Sequence, residues 1–266
     1  MFLSQYTLST AEYRFSQMKR VGFSGQLYIA EPRKNNLPKL IIKHADPASA
    51  CNEFMASRLA ELLHIPVPRA YIMDVEPAQK RLFQTPYVVG CEYIEGLRSF
   101  AKGDLQNSNV LQQEYADLYA LAVMVEQEDI TQMSITPEGH LIGIDFSETF
   151  FLSDMHHLIL SLSEDSLEDL IGRRLRNYLE KNFSLWANAG AKVLADHFGA
   201  GDVSDIHPLY LRSMKALLSI TKEQIEELTD VLAEVYPMAI VVYFEEYIEI
   251  LKKKITAYIS GLSNNI

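Results

Sequence analysis

The hydrophobic positions change their period partway along the chain. Before about residue 100 they come in short runs rich in β-branched and aromatic residues, broken by turn formers. After about residue 105 they recur three and four apart over long stretches. In the first part, GQLYIAEP and LPKLIIKHA flank PRKNNLP, whose prolines, asparagines and charges suit neither periodic structure, so the pattern predicts a hairpin. Phe54, Met55, Leu59, Leu62 and Leu63 then fall at helical spacing until Pro66 and Pro68 stop it, which predicts a helix ending near His64. RAYIMDVE and TPYVVGCEYIEG read as two further strands, and no element is assigned before about residue 21.

Gly96 reads as a crossing point, beyond which NVLQQEYADLYALAVMV predicts a long helix and MSIT, PEG and HLIGIDFS a hairpin. SLEDLIGRRLRNYLEKNFSLWANAGAKVLADHF is helical throughout. Thr221 and Gln224 form a capping box ahead of Ile225, Leu228 and Leu232. PMAIVVYFEEYIEILKKKITAYI closes the chain as one helix or a pair. The expectation is an α+β chain of two lobes: residues 1–96 as a small β-rich lobe with one main helix, and 97–266 as a larger, mainly helical lobe. There is no internal repeat and no low-complexity segment.

At 266 residues and 48% hydrophobic content the chain can bury a sizeable core. No stretch approaches the roughly 18 to 20 uncharged apolar residues that span a bilayer, and MFLSQYTLSTAEYRF lacks the regions of a signal peptide. A net charge of −11 argues against nucleic acid or an anionic membrane as the main partner. Cys51 and Cys91 have no companion ligands, so buried reduced thiols are expected, which fits a cytosol-like compartment.

Three places could carry chemistry. Lys43 ends the strand KLIIK and Glu53 follows ten residues later on the next helix, so an amine can meet a carboxylate inside the first lobe; alone, either residue reads as a solvated surface charge. Gly22 and Gly25 precede a strand and could let a backbone loop close over phosphates, although a plain hairpin turn explains them equally well. Asp145 ends an apolar strand where a hard cation could take its oxygen, or where it could cap a turn. His156 and His157 lack a third metal ligand, and Lys252, Lys253 and Lys254 read as the wet face near the end of an amphipathic helix.

The order of glycine loop, strand lysine, helix glutamate, hinge, acidic loop, hairpin and strand-end aspartate resembles the protein-kinase-like superfamily. The stretch IIKHADPASACNEFMASRLAELLHIPVPRAYIMD is similar to the HipA-like and phosphoinositide-kinase-like branch, with His64 in place of the usual glycine. The resemblance covers roughly residues 20 to 260. It implies ATP and Mg²⁺ as cofactors, Lys43 on the phosphates, Glu53 as its ion-pair partner, Gly22 and Gly25 in the phosphate loop, Glu92 and Ile94 at the hinge against the nucleotide, and Asp145 on magnesium. The family also needs a catalytic aspartate and, five residues on, a metal-binding amide, and here the chain departs from the pattern. One register puts Gln127 and Gln132 in those places. The other puts Asp129 and Ser134 there, and is preferred because glutamine cannot act as a base.

The resemblance implies a phosphotransferase acting on a hydroxyl, with a protein serine or threonine as the expected acceptor. Alternatives are a pseudokinase that binds nucleotide or a partner protein, and a small-molecule or phosphoinositide kinase. A cytoplasmic location is expected, including that of a bacterial protein delivered into another cell without a signal peptide. The acceptor and oligomeric state are left open.

Overall fold

The computed structural model describes residues 6–18, 26–43, 46–127, 132–150, 152 and 164–263, with backbone alone for 102, 106, 107, 164–171 and 263. Gly22, Gly25, Asp129, His156 and His157 lie outside the described residues.

The first lobe is built on a six-stranded sheet. Its strands are β1 (Thr7–Ser9), β2 (Tyr13–Gln17), β3 (Leu27–Pro32), β4 (Leu40–Lys43), β5 (Ala70–Asp74) and β6 (Tyr87–Glu92), in the order β1-β5-β6-β4-β3-β2. The expected hairpin is β3–β4, with Leu27 opposite Lys43 and Ala30 opposite Leu40. Two strands lie where the pattern assigns none: β1 adds parallel to β5, and β2 pairs antiparallel with β3. Alternation sends Leu40 and Ile42 to the outer face, where Tyr13, Tyr28, Met73, Phe83 and Val88 cluster, and leaves Ile41 and Lys43 on the inner face.

Helix α1 (Pro47–Leu62) crosses that inner face. Asp46 caps it, accepting the Ala48 and Ser49 amides at 2.9 and 3.1 Å, and Pro47 sits in the first turn where its missing N–H costs nothing. At the other end the Ile65 amide bonds back to Ala60 O and the His64 amide to Glu61 O. His64 therefore stands at φ 55°, in the left-handed place that glycine usually fills in this termination. Ser57 Oγ then fastens α1 to the chain entering β5, donating to Pro68 O and accepting from the Ala70 amide at 2.9 Å each.

After a short helix α2 (Lys80–Phe83) and β6, the chain turns at Gly96, φ 75°, into the second lobe. There β7 (Arg98–Ser99), β8 (Met133–Ile135) and β9 (Leu141–Gly143) form a three-stranded sheet in that order. Around it pack α3 (Asn109–Met124), α4 (Glu164–Phe198), α5 (His207–Leu218), α6 (Lys222–Ala233) and α7 (Met238–Ser263). The capping box at Thr221 forms, with the Gln224 amide on Thr221 Oγ1 and the Thr221 amide on Gln224 Oε1.

The last stretch is a single helix, which corrects the reading of the lysine triplet. Helix α7 runs nine residues past Lys254, so the triplet is mid-helix, and Lys252 and Lys254 are half-buried. Lys252 donates to Ile220 O at 2.8 Å, and Lys254 pairs with Glu180 at 3.1 Å. No helix among the described residues is long and apolar enough to cross a membrane. Cys51 and Cys91 are free and buried.

Candidate functional site

Lys43, Glu53 and Asp145 converge between the lobes. Lys43 Nζ donates to Glu53 Oε2 at 2.9 Å and to Asp145 Oδ1 at 2.6 Å. Each arrives by a different route: Lys43 as the last inward residue of β4, Glu53 from the second turn of α1, and Asp145 two residues past β9. The Lys43 and Glu53 side chains are 22% and 10% exposed, against 36% for Asp145, so the aspartate is the member that solvent reaches. Burial alone would lower the Lys43 ammonium, but the charges of Glu53 and Asp145 outweigh it and hold the group above the ordinary lysine value. Burial would likewise raise the Asp145 carboxyl, yet Lys43 and the Ser147 bonds hold it below the ordinary range. Both shifts favour the charged forms of Lys43 and Asp145.

Supporting bonds fix the carboxylates. Glu53 Oε2 also accepts the Phe146 amide at 3.0 Å, so one carboxylate orients both the amine and the chain beyond Asp145. Ser147 Oγ donates to Asp145 Oδ1 at 3.0 Å, and Asn52 Nδ2 of α1 donates to Ser147 O at 2.9 Å. Cys91 Sγ lies 3.6 Å from Glu53 Oε1; burial, then Glu53, pushes its thiol well up, so it serves as a neutral neighbour. Asp145 has φ 64°, a conformation L residues other than Asn and Asp rarely adopt, and it is anchored there by Gln127 Nε2 donating to Asp145 O at 2.9 Å. Gly143 permits the approach of β9, since a Cβ there would stand 2.7 Å from Leu118 Cδ2.

The strand register locates the remaining candidates. The Ile144 amide bonds to Gln132 O at 2.8 Å, so Gln132 stands across the ladder one position from Asp145. Ser134 lies mid-strand opposite Ile142, three positions from Asp145, with Ser99 on its other side. Glu92 ends β6 and Ile94 follows it, both just ahead of the inter-lobe turn at Gly96. The Glu92 carboxylate accepts Tyr71 OH at 2.9 Å, and the Glu92 and Tyr93 amides bond to Arg69 O and Lys39 O. The structure thus brings together Lys43, Glu53, Asp145 and Gln127, places Gln132 next to Asp145 by backbone register, and sets Ser134 further along the hairpin.

Sequence reasoning gave no role to Asn52, Ser147 or Cys91. Asn52 directly precedes Glu53 within the stretch similar to the HipA-like branch, and that adjacency was its available signal. Ser147 acts through a bond to Asp145 two residues away and Cys91 through a contact with Glu53 thirty-eight residues earlier, and neither carries a recognisable pattern. Among the described residues no group of three or more His, Cys, Asp or Glu side chains could hold a metal by itself. A magnesium ion that shares its ligands with phosphate oxygens needs only one or two protein oxygens, so the donor chemistry at Asp145 fits one.

The sequence matches no protein-family model and no curated protein. Among solved structures it is similar to the crystal structure of a Helicobacter pylori proinflammatory kinase, CtkA, with a TM-score of 0.58 and 10% identity over 95% of this chain and 96% of that one. At this identity the likeness is one of fold. The fold is kinase-like and two-lobed, with a curled six-stranded sheet in the first lobe and a mainly helical second lobe.

Proposed function

We propose that the chain is an ATP- and Mg²⁺-dependent phosphotransferase of atypical kinase type, acting on a hydroxyl acceptor for which a protein serine or threonine is the first candidate. The observation that carries this reading is the Lys43 amine held between a first-lobe glutamate and a second-lobe aspartate. In the nucleotide complex Lys43 would exchange Asp145 for the α- and β-phosphates while Glu53 keeps it oriented. Asp145 would hold Mg²⁺, with Gln132 beside it as a second oxygen donor; the ion, when bound, neutralises charge on the transferring phosphoryl group. By the family resemblance, Glu92 and Ile94 would border the base, and Gly22 and Gly25, outside the described residues, would cover the phosphates.

The register supports Gln127 and Gln132 in the positions that other kinases give to the catalytic aspartate and the metal-binding asparagine. Gln127 positions the backbone of Asp145 and cannot take a proton. Transfer then rests on orientation and charge neutralisation, with Asp129 as the carboxylate proposed to engage the acceptor. A second reading, a nucleotide-binding interaction module without transfer, is favoured by that same glutamine, since loss of a positioned base costs about 10²- to 10⁴-fold.

The test has two arms. ATP with Mg²⁺ is expected to raise the melting temperature of the full chain, by the equivalent of about 2.7 kcal/mol at a hundredfold excess over Kd. The gain should vanish in Asp145→Ala. Labelled phosphate transfer that is lost in Asp129→Ala supports the enzyme; stabilisation with no transfer supports the module; no stabilisation at all sinks both.

A further inference from the structure

Next to Lys43 the two lobes leave an apolar cavity of about 240 Å³. None of its lining residues belongs to the inter-lobe turn or to the strand end at Asp145, and Lys43 is what it shares with the cluster described above. Buried Val89 of β6 and Ile240 of α7, with half-buried Ala50 of α1, line its inside. Three exposed prolines stand at its edge: Pro47 from α1, Pro86 before β6 and Pro237 before α7. Proline fixes φ, so this rim is set in advance of any ligand.

Close-packed interiors leave few voids larger than a water molecule. Since an apolar cavity of about 150 Å³ admits benzene, this one has room for roughly ten non-hydrogen atoms. Its electrostatics exclude a charged guest. The Lys43 ammonium already lies between two carboxylates, Asp46 caps α1 nearby, and an ion in apolar surroundings would lose its hydration. Thr85 just ahead of β6, Tyr87 in β6 and Tyr236 from the turn between α6 and α7 are the hydroxyl-bearing residues on the wall, and Thr85 Oγ1 already donates to Tyr87 O at 2.8 Å.

We propose that this cavity is a binding site for a compact, neutral aromatic or alkyl molecule, whose occupancy braces α1 against the α6–α7 turn. Ala50 lies one turn ahead of Glu53 on the same helix. A narrower void sharing Lys43, Ala50 and Val89 reaches Glu53, Cys91 and Ser147, so a guest in the cavity presses on the helix that presents the glutamate to the lysine. The site and its action on α1 are independent of what the Lys43 cluster binds.

Indole, neutral and of nine non-hydrogen atoms, is a suitable probe for calorimetric titration of the full chain. Saturable binding is expected. It should weaken at least tenfold in Ala50→Leu and Ile240→Phe, which fill the cavity from opposite walls, and Val89→Ile offers a milder filling should either larger change fail to fold. Asp145→Ala should bind indole as the parent does, even with its ATP response lost, which separates failure of this site from failure of the nucleotide reading. Hydrogen exchange across residues 47–62 should slow with indole present, and octanoate, similar in size but anionic, should not bind. Absence of indole binding, undiminished binding in the folded filling variants, binding without protection of α1, or tighter binding of octanoate would each overturn the proposal.

Discussion

Glu126 is the residue whose chemistry is most at odds with its surroundings. It follows α3 at φ 57°, and both carboxyl oxygens are buried without a hydrogen-bond partner of good geometry among the described residues. The facing groups are the phenols of Tyr178 on α4 and Tyr247 on α7. Tyr247 OH already donates to Met124 O at 2.8 Å, leaving its oxygen to accept from a protonated carboxyl. Burial pushes Glu126 from 4.5 up to about 8, against a smaller opposing effect of the two phenols. Because the folded value lies above the unfolded one, the folded chain binds the extra proton between about pH 4.5 and 8, and stability falls as pH rises through that window. Glu126→Gln keeps the shape and removes the titration. It should be more stable than the parent at pH 9, by about 1 to 3 kcal/mol, and equal to it near pH 4, as read from urea midpoints at the two pH values. The Lys43 cluster combines both senses: its lowered Asp145 acts in the opposite sense to Glu126 and its raised Lys43 in the same sense. Its raised ammonium and lowered Asp145 carboxyl keep its contribution intact above the ordinary aspartate range and below the ordinary lysine range, with loss only as pH falls through the depressed Asp145 value or rises through the raised Lys43 value. Lys43, Glu53 and Asp145 could be singled out from sequence because each ends or begins a periodic segment. Glu126 could not, since its burial comes from α4 and α7, which lie far away along the chain.

Elements with a strong period were legible, and those held by neighbours were not. Helix α1, the β3–β4 and β8–β9 hairpins and the capped α6 follow from local pattern and turn chemistry. Strands β1 and β2 escaped because each is short, mixed in polarity and stabilised by pairing with β5 and β3. The approach of the Tyr210 side chain of α5 to Gly190 of α4 is equally silent in sequence. Gly190 of α4 lies where a Cβ would stand 2.6 Å from Tyr210 Oη and 3.3 Å from Val123 Cγ2, and Tyr210 OH has no hydrogen-bond partner among the described residues. Gly190→Ala should therefore destabilise the protein by about 1 to 3 kcal/mol through overpacking, despite alanine's better helix propensity. Tyr210→Phe alone should be neutral or stabilising, because it removes a buried hydroxyl that gains nothing. Combined, the phenylalanine should recover part of the alanine's cost in a double-mutant cycle of thermal unfolding; strict additivity would show that the contact is not what limits the approach.

At the scale of the whole molecule, the two lobes differ in sequence pattern but share one core. The inner face of the six-stranded sheet, through Ile72, Val89 and Cys91, joins α1 and then α3 to α7 in a single buried cluster. The outer face, around Tyr13, Tyr28 and Phe83, forms a separate one. Helix α1 is buried over most of its length, packs against α6, and reaches across with Asn52 to Ser147 O, so it belongs to both lobes at once. That connection was hidden in the sequence, where α1 follows two strands and precedes two more, and its packing partners are helices some 170 residues away. Phe54, fully buried in the shared cluster, tests it. Phe54→Ala should cost about 3 to 5 kcal/mol and lower a single thermal transition in which calorimetric and van't Hoff enthalpies agree, because neither lobe keeps a complete core without the helix. Phe83→Ala, in the outer cluster, creates a comparable void but touches only the sheet, so its added hydrogen exchange should be confined to strands β2 to β6 while α3 to α7 keep their protection. If Phe54→Ala instead split unfolding into two steps with the second lobe unaffected, the lobes would have to be independent domains, and α1 could not be what carries the position of Glu53 from one lobe to the other.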